Sequence, residues 1–170
     1  MTKSFQRQWF QFVDGLPTET LTAIELLRVL LLFVRECSDA LGEEPFLAYG
    51  LKQFATLHAE DYPIEFTSSS EAEVSHLMAV IRRSKHKKID GIAMLLRDIL
   101  EQLLVVESDR DCPRCASSGM GIFKSGIDGR LALMCKHCGH GIYLDGSKMA
   151  TGALLMATTT DLRDAALIPS

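Results

Sequence analysis

Long apolar runs are scarce in this chain of 170 residues, and none reaches the length of a membrane span uninterrupted. The most apolar segment, residues 21–34, contains Glu25 and Arg28 and is short, so it predicts a buried core helix. The first residues also lack the apolar stretch and small-residue cleavage site of a secretory signal. We therefore expect a cytoplasmic protein without a membrane contact, in a compartment where thiols stay reduced.

Catalytic motifs are missing as well. The sequence has no Gly-x-Ser-x-Gly elbow, no phosphate-binding loop and no dinucleotide fingerprint. His58 and His76 are predicted at core-edge positions of helices, where a packed histidine is commoner than a catalytic one. We therefore predict that the chain is not an enzyme. A site built from residues distant in sequence is the alternative that this pattern leaves open.

An excess of positive charge is also absent, since the formal net charge is −4. Residues 1–107 carry 11 Lys and Arg against 16 Asp and Glu, whereas residues 108–170 carry 7 against 6. This balance is not typical of a protein that coats nucleic acid, so any contact with DNA or RNA is expected to be local.

Residues 1–107 show helical periodicity and predict an all-α domain of about five helices. The first contains Phe5 and Trp9, the second runs to about Leu41, and a third is predicted over residues 45–60 with His58 facing inward. Ser70 and Glu73 have the spacing of a capping box that opens the fourth helix. The last helix contains an apolar series between residues 92 and 106.

Residues 108–148 change character and contain glycines, cysteines and three short runs suited to strands. Cys112 and Cys115 form one Cys-x-x-Cys pair, and Cys135 and Cys138 form a second pair after 19 intervening residues. Two thiolates at this spacing can turn inward from one tight knuckle, and two knuckles fill the four positions of a tetrahedral metal ion. The segment between them is predicted to form a hairpin with its turn at residues 125–129.

This pattern resembles the zinc-ribbon family over roughly residues 110–146. The resemblance implies one structural Zn²⁺ and a small antiparallel sheet, which gives an α+β fold class for the whole chain. Gly139 suits the backbone of a knuckle, whereas the first pair is followed by Ala116 and departs from the commonest ribbon pattern. Residues 149–170 are predicted to form a loosely held tail with a short helix near residues 161–166.

Other interpretations of these residues remain open at this point. A redox Cys-x-x-Cys pair is one, although such a pair usually opens a helix in an α/β fold. His137 and His140 are alternative metal ligands, less favoured because four thiolates are available. Cys37 lies in a predicted helix and is interpreted as a buried free thiol.

Two groups of cations are candidate partner-binding residues. The segment 82–88 has five formal positive charges, and the ribbon contains further cations near Phe123 and Tyr143. A solvated helix end is the alternative interpretation of the segment 82–88. The candidates are Arg82, Arg83, Lys85, Lys87 and Lys88 in the first group, and Arg114, Lys124, Arg130 and Lys136 in the second.

Two functions follow as hypotheses. The first is that the chain binds a protein partner, for example as a stoichiometric inhibitor such as an immunity protein that neutralises a toxin. The chain is similar to such inhibitors in being small, acidic and without catalytic motifs, but no residue motif supports the comparison. The second is a DNA- or RNA-binding transcriptional regulator that uses the ribbon and the segment 82–88. The acidic net charge favours the protein partner.

Overall fold

The computed structural model describes residues 2–170, with the backbone alone at residues 2 and 3, and the chain divides into two compact units. Unit 1 contains the residues up to 59 together with 69–103, and unit 2 contains 60–68 together with 104–170. The α+β class is confirmed, because the N-terminal half is helical and a small antiparallel sheet follows. The domain boundaries at residues 107 and 148 stay predictions, since a compact unit need not fold alone.

The helices of unit 1 match most of the predicted ones. Their bounds are α1 Thr2–Gly15, α2 Ala23–Glu36, α3 Glu71–Arg83 and α4 Ile89–Leu104. The predicted capping box is present at the start of α3, where Ser70 and Glu73 satisfy each other's backbone N–H groups. A second capping box at Thr22 and Glu25 opens α2. The helix α2 ends at Glu36, which is earlier than the predicted end at Leu41.

The predicted helix over residues 45–60 is wrong. This segment contains turns and a 3₁₀ helix, Leu51–Thr56, instead of one continuous α-helix. Gly50 interrupts it with a φ of 62°, a left-handed conformation that ends right-handed helical geometry. Phe54 is buried as expected, but His58 is exposed, and so is His76 on α3. The interpretation of both histidines as core-edge residues is therefore also wrong.

An aromatic cluster connects α1 to α2 in the core of unit 1. Phe5 and Trp9 of α1 are buried, and their rings lie 5.6 and 5.4 Å from that of Phe33 on α2. Phe12 lies 4.7 Å from the same ring, centroid to centroid. These contacts fix the two helices against each other, since aromatic pairs at such distances add to the burial of apolar area.

None of the helices that the structure describes combines the length and the apolar character that a membrane crossing requires.

Unit 2 contains an antiparallel sheet with the strand order β3-β2-β1-β4. The strands are β1 Gly121–Ser125, β2 Leu131–Met134, β3 Gly141–Tyr143 and β4 Leu154–Met156. The predicted hairpin is confirmed: Gly121 pairs with Met134 and Lys124 with Leu131. Gly129 closes the turn with a φ of 73°, which glycine adopts without steric cost.

One face of this sheet is covered by the C-terminal segment. The short helix α5 spans Thr159–Asp164, and its Leu162 is buried in a cluster with Ile122 and Leu133 of the sheet. Ile168 belongs to the same cluster, and Phe66, from the part of unit 2 that precedes the sheet in sequence, packs against it. Residues 149–170 therefore contain a strand and a helix that pack on the sheet, in contrast to the loosely held tail expected from the sequence.

Candidate metal centre

The first cysteine pair lies in a tight turn of unit 2, just before β1. The Ala116 N–H donates to the Cys112 carbonyl at 2.8 Å, and the Cys112 N–H donates to the Ser117 carbonyl at 2.9 Å. To close this turn, Ala116 adopts a φ of 57°. This conformation costs a residue with a Cβ about 1–2 kcal/mol.

The second pair, after β2, repeats these hydrogen bonds at equivalent positions. The Gly139 N–H donates to the Cys135 carbonyl, and the Cys135 N–H donates to the His140 carbonyl, both at 2.9 Å. Gly139 has a φ of 68°, which corresponds to that of Ala116. Each pair is therefore held by its own backbone in the same knuckle.

The two knuckles bring all four sulfurs together. The Sγ atoms of Cys112 and Cys138 lie 3.5 Å apart and those of Cys115 and Cys135 lie 3.7 Å apart. All four lie within 4.8 Å of one another. A disulfide would need about 2.05 Å. A tetrahedral site with Zn–S bonds of about 2.3 Å places its sulfurs about 3.8 Å apart, so the sulfur positions fit one such ion.

The thiols differ in environment. Cys112 and Cys135 are buried, Cys138 is half-buried and Cys115 is exposed. Hydrogen bonds from Ser117 lower the pKa of the Cys115 thiol to about 6. The His140 backbone lowers the pKa of Cys138, but burial and the three neighbouring thiols raise it to about 12 overall. Without a cation the cluster cannot carry four negative charges, because each thiolate disfavours ionisation of the next.

Among the described residues, the group that can hold a metal ion contains the four cysteines alone. His137 is exposed, and His140 contributes its backbone carbonyl to the second knuckle. Cys37 lies at the end of α2 in unit 1 and is buried, as its interpretation as a free thiol requires. Burial raises the pKa of the Cys37 thiol to about 11. The sequence analysis did not predict the hydrogen bond between Ser117 and the Cys115 sulfur, at 3.2 Å. The only sign of it in the sequence is that Ser117 lies two residues after Cys115.

The ribbon cations are mostly paired within unit 2. Lys124 bonds to Asp161 of α5 at 2.7 Å, Lys136 bonds to Glu107 at 2.8 Å, and Arg130 bonds to Asp145 at 2.8 Å. Arg130 also lies over the Tyr143 ring at 3.8 Å. Arg114 is exposed in the first knuckle.

The two aromatic residues named with these cations, Phe123 and Tyr143, are buried. Lys124 follows Phe123 in the same strand, so their side chains point to opposite faces of the sheet. Arg130 is therefore stacked on one of these rings, but neither ring is exposed for a partner to contact.

The cations at 82–88 lie where α3 ends and α4 begins. Lys85 forms an ion pair with Asp14 and lies 3.9 Å from the centre of the Phe10 ring. Arg82 donates to the Pro17 carbonyl. The remaining cations of this group, Arg83, Lys87 and Lys88, are exposed.

No family model matches this chain, and neither a curated protein nor a solved structure matches it significantly. The cysteine spacing and the sulfur positions are therefore the basis on which the site is interpreted. They establish four thiols placed to bind one metal ion.

The matched knuckles allow a paired test of backbone strain. Ala116→Gly is expected to raise the free energy of unfolding by about 1 kcal/mol, because glycine removes the left-handed penalty. Gly139→Ala is expected to lower it by about the same amount. A Cβ at 139 would meet no heavy atom within 4 Å, so the backbone conformation alone is tested. Urea denaturation of both variants measures the effects, and two changes of the same sign would contradict the equivalence of the knuckles.

Proposed function

We propose that the four cysteines hold one structural Zn²⁺ in a zinc ribbon, and that the protein is a non-catalytic binding module. The sulfur tetrahedron is the observation that supports this most directly. Zinc suits four thiolates, and a site with four protein ligands has no open position for water or substrate. The ion would add folding free energy to the small core that the sheet forms with Leu162 and Ile168.

The partner is proposed to be a protein, as in a stoichiometric inhibitor such as a toxin-neutralising immunity protein. Three ribbon cations already have carboxylate partners, and both ribbon aromatics are buried. A nucleic-acid surface needs cations available to phosphates and rings available for stacking. The net charge of −4 also favours capture of a basic protein over a polyanion. Reducing conditions, such as those of the cytoplasm, would keep the thiols free for the metal.

Affinity purification of the full chain from its native cell under reducing conditions tests this function. We expect one protein to co-purify at a fixed molar ratio and to resist nuclease treatment. Binding by an acidic inhibitor should also slow as salt rises, because charge steering is screened. Recovery of nucleic acid in place of a stoichiometric protein would overturn the proposal and favour the regulator.

A further inference from the structure

An apolar cavity lies between α1 and α2 in unit 1. Its volume is about 250 Å³, and its lining includes Phe12, Leu16, Val29 and Leu32. Leu32 has 51% of its surface exposed, although its neighbours Leu31 and Phe33 on α2 are buried. The exposed Leu32 and the half-buried Phe12 ring offer apolar area that a partner's apolar side chain would remove from water.

A second cavity of about 260 Å³ lies beside the first, and Glu36 lines both. This second cavity is also lined by Gln8, Asp39 and the buried Phe5. Within the part of the chain that the structure describes, neither Glu36 nor Asp39 forms an ion pair. We call these two cavities together the α1–α2 groove; it is apolar at one end and acidic at the other.

Glu36 occupies an electrostatically unfavourable position. It is the last residue of α2, where the helix dipole is negative and a carboxylate is disfavoured. The neighbouring Arg35 does not offset it, since its guanidinium donates to the Ala55 and Leu57 carbonyls at 3.2 and 3.0 Å. A cation supplied by a partner would relieve this carboxylate.

We infer that the α1–α2 groove docks a basic segment of the protein partner, with an apolar side chain against Leu32 and Phe12 and a Lys or Arg against Glu36. This inference rests on the proposed function. Each cavity is smaller than the roughly 300 Å³ at which small-molecule pockets begin, so single side chains fit better than a free cofactor. The partner segment is proposed to be basic because residues 1–107 contain more acidic than basic side chains.

Two labelled ten-residue peptides, one alternating Lys with Leu and one alternating Glu with Leu, are suitable probes for the full chain. Fluorescence anisotropy should show the Lys–Leu peptide binding at least about tenfold more tightly than the Glu–Leu peptide. Leu32→Ala and Glu36→Lys should each weaken this binding at least about fivefold. The matched controls are Leu47→Ala and Glu43→Lys, which change exposed residues outside the groove and should stay within about twofold.

Three results would overturn this inference: equal binding of both peptides, equal effects of groove and control variants, or tighter binding of a ten-nucleotide thymidine strand. Light scattering tests whether a second copy of this chain occupies the groove. If the protein is a dimer that Leu32→Ala dissociates, the inference is also wrong. Capture of the native partner distinguishes this inference from the proposed function. If both groove variants still capture the partner, the groove is not its binding site and the protein-binding function stands. If the wild type captures no partner, the proposed function itself fails.

Discussion

Cys135→Ala is expected to abolish metal binding and unfold the sheet of unit 2. Cys135 is 1% exposed, and its sulfur is one of the four in the cluster. Protein purified without added metal should contain about one zinc per chain, and this variant close to none. Because structural zinc sites contribute most of the folding free energy of small domains, the strands should lose protection against hydrogen exchange.

Cys37→Ala is the matched control, since it removes another buried thiol and lies outside the sulfur cluster. It should retain the zinc and the protected strand amides. Metal analysis by mass spectrometry and hydrogen exchange at residues 121–156 measure both properties. A Cys135→Ala protein that keeps one zinc would show that another ligand replaces the sulfur, and a metal-free protein with protected strands would show that the ion is not structural.

Leu162→Ala is expected to destabilise unit 2 by about 2–5 kcal/mol, because it leaves a cavity in a packed core. Leu162 is 1% exposed and lies among the residues that cover one face of the sheet. Leu167→Ala removes the same atoms five residues later, where the side chain is 39% exposed. It should cost much less, within about 0.5–1 kcal/mol.

Urea denaturation followed by a signal from the strands compares these two variants. Equal midpoints for Leu162→Ala and Leu167→Ala would mean that α5 does not stabilise the sheet. The same comparison decides whether residues 149–170 are part of the folded unit or an appendage to it.

The cysteine cluster could be predicted from the sequence because its information is local. Two Cys-x-x-Cys pairs define two turns, and tetrahedral coordination joins them without knowledge of the remaining fold. The capping box at Ser70 and Glu73 is predictable for the same reason, since its partners lie three residues apart.

Other features depend on information that local patterns do not contain. The helical interpretation of residues 45–60 fails at Gly50, because a glycine is compatible with a helix and its left-handed φ follows from the tertiary fold. Ala116 is the opposite case, since alanine avoids the conformation that its knuckle imposes. Packing of the tail was not predictable because Leu162 and Ile168 are too few to produce a periodic pattern.

The parts of unit 2 are synthesised in the order of their positions along the chain. Phe66 is made before the cysteines, and Ile168 is made after them, yet both pack on the same apolar face of the sheet. Synthesis proceeds from the N-terminus, so all four cysteines are made while that face still lacks Leu162 and Ile168. A sheet that formed at that stage would expose part of its apolar face, and a chaperone that covered this face would protect the nascent chain from aggregation.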